Sequence, residues 1–267
     1  MLEDYEDITL RADVEQTEES QCLNENQLAY LSELSVSSTE WTEMSNVQKD
    51  LHLDILQDRL DELGIKDVEM LGNTNLLSPE MLEELNIRLE APNDMIQIEQ
   101  VSDVLANCED IRFENWQSLE LNEKVEVLNQ LETQIAHIEH RPACPILAKE
   151  MESGIWGGYN PHTKCITINS NYIEQSGGAS HIYEEILDTL VHEGRHAYQD
   201  YNVNVCEVHP RHSEVESWSE TMGGGKWEYW NDCSSYLGQR LYEQQSVEID
   251  ARNFAADVLA KFKEKTA

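Results

Sequence analysis

Basic side chains are scarce. Only 18 Lys and Arg stand against 53 Asp and Glu, a formal net charge of −35 over 267 residues. So acidic a chain repels phosphate backbones, which need basic surface to displace counterions, and it repels anionic lipid for the same reason. Nucleic acid and membrane are therefore not expected as partners. Long apolar runs are also missing: no stretch approaches the ~18 apolar residues of a membrane span. The opening residues, MLEDYED, supply neither a basic n-region nor an apolar h-region. A soluble, cytoplasmic protein is expected, and delivery out of the producing cell by a route that reads no cleavable signal is compatible with it. Cys22, Cys108, Cys144, Cys165, Cys206 and Cys233 form no CxxC pair and are too thinly spread for a disulfide scaffold. Reduced thiols follow. The 40% of hydrophobic residues still suffices for globular cores, so disorder should be local.

Residues 1–26 are mostly acidic or polar, with Arg11 the single base. They cannot bury enough apolar surface to offset their ordering entropy and read as a flexible acidic tail. Residues 27–140 read as a helical region. Trp41 and Met44, then Val47, Leu51, Leu53, Ile55, Leu56, Leu60 and Leu63, are apolar at helical spacing up to Gly64, a residue suited to a helix C-terminus. A weak second copy follows 75 positions on, so residues 41–65 align with 116–140: Trp116 with Trp41, Lys124 with Lys49, Leu128 with Leu53, Leu131 with Leu56. Either a duplicated helical unit or two helices sharing a Trp-anchored entry gives this pattern. Between the copies, Ser78-Pro79-Glu80 starts a short helix, and residues 93–100 read as extended. A protein partner for this region is compatible with its composition.

The prolines at 142 and 145 end the second long helix, and residues 141–267 are taken as a separate domain. Residues 155–159 and 164–169, either side of Asn160-Pro161-His162-Thr163, read as a β-hairpin. Residues 170–179 read as a loop, and Ser180 as the cap of a helix whose apolar stripe is Tyr183, Ile186, Leu187, Leu190, Ala197, Tyr198 and Tyr201. That helix carries His192-Glu193-Gly194-Arg195-His196. Residues i and i+4 lie about 40° apart on a helix, so both imidazoles can reach one ion, read as Zn2+, with Glu193 beside it. Gly194 costs the helix about 1 kcal/mol relative to Ala, which suggests the close approach of another backbone. A catalytic zinc needs a third protein ligand. Position 202, six residues after the second histidine, is Asn, which excludes the three-histidine branch of the motif. A last helix, opening near Ser246, has Glu248 and Asp250 in its first turns.

These segments resemble the gluzincin branch of zincin metallopeptidases. The phrase from Gln245 to Arg252, with Gln199 after the motif, is also similar to metallopeptidase domains of bacterial toxin and effector proteins. The resemblance covers roughly residues 150–260. It implies an α+β zincin-like domain and a single Zn2+ held by His192, His196 and Glu248, with Asp250 the runner-up ligand. It further implies that Glu193 is the general base for hydrolysis of a protein or peptide substrate. Thermolysin-like enzymes place an orienting Asp where this chain has Arg252, so Asp188 or Asp250 would have to hold a ligand in place. Zincins present an edge strand above the metal, a part assigned here to residues 164–169. Tyr229, Tyr236 and Tyr242 are candidates for stabilising an oxyanion. His209 and His212, three apart in a Pro-containing loop, are candidates for substrate or a second metal, or are plain surface histidines. The rival reading is a non-catalytic interaction module whose metal only staples the C-terminal domain.

Overall fold

A computed structural model describes residues 23–66, 68–222 and 235–267. Most of the proposed tail lies outside these residues, as do Tyr229, Trp230, Cys22 and Cys233. The tail reading ends too late, because Asn24 caps helix α1 (Glu25–Ser32) by accepting from the Asn26 and Gln27 amides. Four more helices follow: α2 (Ser38–Glu43), α3 (Asn46–Glu62), α4 (Glu69–Thr74) and α5 (Pro79–Asn86). The single helix expected from Trp41 onward is divided, since Ser45 opens α3 with a reciprocal Ser–Gln48 cap. Ser78 caps α5 with Pro79 in its first turn, as the sequence predicts. Trp41, Leu53, Leu56, Leu60, Leu71, Met81 and Leu85 form the core of this first unit.

A second, larger core joins α6 (Asp94–Asn107), α7 (Phe113–Trp116) and α8 (Leu121–Ile138) to the sheet and helices that follow. Residues 93–100 are thus helical where an extended segment is expected. Asn93 caps α6 through the Ile96 amide, and Gln97, Val101 and Leu105 form its buried stripe at four-residue spacing. Because Val101, Leu128 and Ile135 share one core with Ile166, Leu187 and Phe254, the packing does not divide at the prolines near 141. The first core ends at Leu89, so the division between cores falls some fifty residues earlier.

Strands β1 (Ile146–Lys149), β2 (Gly157–Asn160) and β3 (Cys165–Asn169) form a sheet of order β1-β3-β2. The expected hairpin is β2–β3, antiparallel; β1 runs parallel to β3 and was not anticipated. The supposed loop at 170–179 contains α9 (Ser170–Gln175), capped by Asn169. Helix α10 (Ser180–Asn204) begins at Ser180 itself rather than being capped by it, and is followed by α11 (His212–Ser219), α12 (Tyr236–Glu243) and α13 (Ser246–Thr266). Helices α10 and α13 lie against each other, with α6 packed on α13 and the sheet on α10. The described residues are α+β and mainly helical. None of their helices is long and apolar enough to cross a membrane.

Both halves of the weak repeat have one local design. Trp41 and Trp116 are buried at the entry to a long helix, and a lysine one turn into it, Lys49 or Lys124, lies over the indole at 5.2 and 5.5 Å. Leu53, Leu56 and Leu60 in α3 are buried like Leu128, Leu131 and Ile135 in α8.

Candidate metal centre

The apolar stripe of α10 fixes which way its histidines face. With Ile186, Leu187, Leu190 and Val191 buried in the core, the 192/193/196 side of the helix turns toward the hairpin and α13. His192 Nε2 and His196 Nε2 are 3.1 Å apart. From α13, Glu248 brings one carboxylate oxygen to 3.6 Å from His192 and the other to 3.2 Å from His196, and it is fully buried there. A tetrahedral ion with bonds of 2.0–2.1 Å separates its ligand atoms by about 3.3 Å. Two imidazoles and a carboxylate at these spacings fit a single divalent ion. Burial is the largest influence on the His196 pKa and lowers it, but the bond to Glu248, the charges of Glu193 and Glu248 and the bond to Gln199 together outweigh it and hold the value up to about 9. A divalent ion bound there would displace that proton, because imidazole ligates in its neutral form.

Asp250 is not placed as a ligand. Its carboxylate takes Arg195 Nε at 2.8 Å, Arg195 Nη2 at 3.1 Å and Gln199 Nε2 at 2.7 Å. Gln199 in turn meets His196 Nδ1 through its Oε1 at 2.8 Å and also donates to the Val247 carbonyl. The orienting role sought for an acid is thus relayed: Asp250 holds Gln199, and Gln199 holds the ring. Asp188 stands one turn before His192, and burial raises its pKa against the pull of that histidine. Arg252, four residues after Glu248, lies 4.0 Å from its carboxylate.

The two middle residues of the motif are structural. A Cβ on Gly194 would sit 3.2 Å from Arg141 Nη2 and 3.5 Å from Glu132 Oε2, so the close neighbour is a buried ion pair rather than a second backbone. Arg195 is fully buried. It pairs with Asp250 and with Asp94 of α6 at 2.9 Å, and its guanidinium lies over Tyr198, Trp218 and Phe254. Such a fork ties α6, α10 and α13 together.

Beside His192, His196 and Glu248 opens a cleft of about 730 Å³ whose lining includes Gly158, Tyr159, Lys164, Glu193, His196 and Tyr242. Glu193 Oε2 accepts the Tyr159 amide at 2.7 Å, which fixes the carboxylate against the hairpin. The strand at the edge here is β2, not the segment 164–169, because β3 is the middle strand. At its far end the hairpin is fastened to α10 through Asp200, which takes Tyr159 OH at 2.6 Å and Lys164 Nζ at 2.5 Å. Sequence reasoning did not pick out Tyr159, Lys164 or Asp200. Only Asp200 had a signal, standing one turn beyond His196 on the face of His192 and His196.

Of the other candidates, Tyr242 lines the cleft, while Tyr236 is 80% exposed and takes no part in its lining. His209 is buried, with Nδ1 at 2.9 Å from Tyr198 OH and Nε2 at 2.8 Å from Glu214. His212 is exposed and faces Glu207, so the two do not converge on one ligand. Asp94, His209 and Glu214 do cluster, but Arg211 reaches both acids and Arg195 reaches Asp94. Guanidinium groups already neutralise the charge a second cation would need. In comparison with known proteins, no family model, no curated protein and no solved structure matches this chain.

Proposed function

We propose that the chain is a zinc-dependent metallopeptidase of the gluzincin type, with a zincin-like catalytic core built from β1–β3, α10 and α13. The supporting observation is the convergence of His192, His196 and Glu248, whose ligand atoms all lie within 4.8 Å of one another, beside a cleft that Glu193 also lines. When bound, zinc supplies a Lewis acid that polarises a scissile carbonyl and acidifies a water. His192 and His196, as neutral imidazoles, and the Glu248 carboxylate would hold the ion. Glu193, steadied by the Tyr159 amide, takes the proton from the attacking water through its carboxylate and returns it to the leaving amine. The outward edge of β2, apart from the Tyr159 amide that Glu193 accepts, can pair with an extended peptide. Tyr242 is the remaining described candidate to donate to the developing oxyanion.

The test is zinc analysis of the purified protein and of Glu193→Gln, each assayed on a peptide library. Wild type is expected to hold about one zinc per chain. Glu193→Gln should keep the metal and lose activity by about 10²–10⁴-fold. A wild type without zinc, or a variant that cleaves as well as wild type, rejects the peptidase. Zinc in both with cleavage by neither identifies the metal as a structural staple.

A further inference from the structure

Helix α3 has two apolar faces, and only one is used. Leu53, Leu56 and Leu60 are buried in the first core. On the opposite side Val47, Leu51 and Ile55, each four residues from the next, are 77%, 61% and 39% exposed. Single exposed aliphatics are ordinary, but an ordered row on one helix face is a different observation.

The repeat supplies an internal control. Helix α8 has the same Trp-anchored entry, the same lysine over the indole and the same buried positions, yet the residues equivalent to Val47, Leu51 and Ile55 are Asn122, Glu126 and Gln130, all exposed. The equivalent helix therefore folds without apolar residues there, and their presence on α3 has no explanation in the packing of the described residues. Charge identifies what covers them. At 100° per residue Asp58 and Glu62 fall within the row, and Asp50, Asp54 and Asp61 along one flank, where Arg88 pairs with Asp50 at 2.6 Å and Asp54 at 2.9 Å and leaves the flank net acidic. A second copy of the chain would bring another −35 against that flank and be repelled.

We propose that the outer face of α3 is a docking surface for a basic amphipathic helix of another protein, with Val47, Leu51 and Ile55 taking its apolar stripe and the acidic flank its lysines or arginines. The test uses the full chain and a labelled Leu/Lys amphipathic peptide of about 18 residues, five helical turns, beside a scrambled peptide of the same composition, at about 0.15 M salt. The patterned peptide is expected to bind at least about tenfold more tightly than the scrambled one, a difference of about 1.4 kcal/mol. Giving α3 the residues of α8, Val47→Asn with Leu51→Glu and Ile55→Gln, should remove that preference while circular dichroism and thermal midpoint stay unchanged. Asp58→Asn with Asp61→Asn, which leaves the apolar row intact, should weaken binding of the patterned peptide by a smaller factor. Equal binding of both peptides, or a preference that survives the triple substitution, overturns the proposal. So does a dimer in sedimentation that the triple substitution abolishes, since the occupant would then be a second copy.

Discussion

At the scale of single residues, the motif divides into groups that meet at the site and groups that hold it in place. His192, Glu193 and His196 face the cleft side, whereas Gly194 gives room to the Arg141–Glu132 pair and Arg195 locks α10 to α13 through Asp250. Asp250 and Glu248 are therefore expected to fail differently. Glu248→Gln should abolish tight zinc binding with little loss of fold. Asp250→Asn should leave all three candidate ligands in place, weaken zinc by about 10–100-fold through the loosened Gln199, and destabilise the protein by about 1–3 kcal/mol because Arg195 stays buried with Asp94 as its remaining carboxylate partner. Competition with a chromophoric chelator measures the first quantity, and urea unfolding of the metal-free protein the second. If Asp250→Asn unfolds at the wild-type midpoint, Arg195 is not the lock described. Spacing alone made the two histidines and Glu193 legible. Choosing between Glu248 and Asp250 was not possible that way, because two residues along a helix turn a side chain by about 200° and only the partner helix decides which one points at the histidines.

At the scale of elements, local signals worked where the apolar residues are the buried ones. Helix α10 and the β2–β3 hairpin were readable on that basis. Helix α6 was not: Met95 and Ile96, which suggest an extended segment, are exposed, while Gln97 is fully buried against Arg195 and Tyr198. Strand β1 carries little local signal because it is four residues long and only Ile146 is buried, its place being set by pairing with β3. The hairpin's seat on α10 depends on Gly157, where a Cβ would lie 2.6 Å from Thr189 Cγ2 and 2.7 Å from the Thr167 carbonyl. Gly157→Ala must push β2 off α10 and draw the Tyr159 amide away from Glu193. Overpacking of this kind costs about 1–3 kcal/mol. On the proposed function, the expected signature is a fall in peptidase turnover larger than the stability loss explains, with zinc content unchanged, because His192, His196 and Glu248 sit on helices and not on the hairpin. Wild-type turnover in Gly157→Ala would mean that the hairpin does not position Glu193.

Over the whole molecule, the contrast between an acidic exterior and a few buried bases sets the pH response. Arg195 on the motif helix and Arg141 beneath it are both buried, but the acids around Arg141 outnumber it: Glu132 binds it at 2.6 and 3.2 Å and Glu139 at 2.7 Å, all three side chains being 1% exposed or less. Because Glu132 holds two of the guanidinium bonds, burial prevails at Glu139 despite its short contact, and pushes its pKa from 4.5 to about 7. The folded state thus favours the protonated form. Glu139 contributes its full stabilisation below about pH 4.5 and loses it as pH rises through about 7, a change of about 3 kcal/mol at most. Glu139→Gln keeps a neutral side chain at every pH, so its unfolding free energy should lack this downward slope. Urea unfolding of both proteins at about pH 5 and about pH 8 measures the difference of slopes, in which the repulsion of the acidic surface cancels. Equal slopes would show that Arg141 keeps Glu139 ionised, and that the network beneath the metal centre is a balanced ion cluster instead of one with a proton to lose.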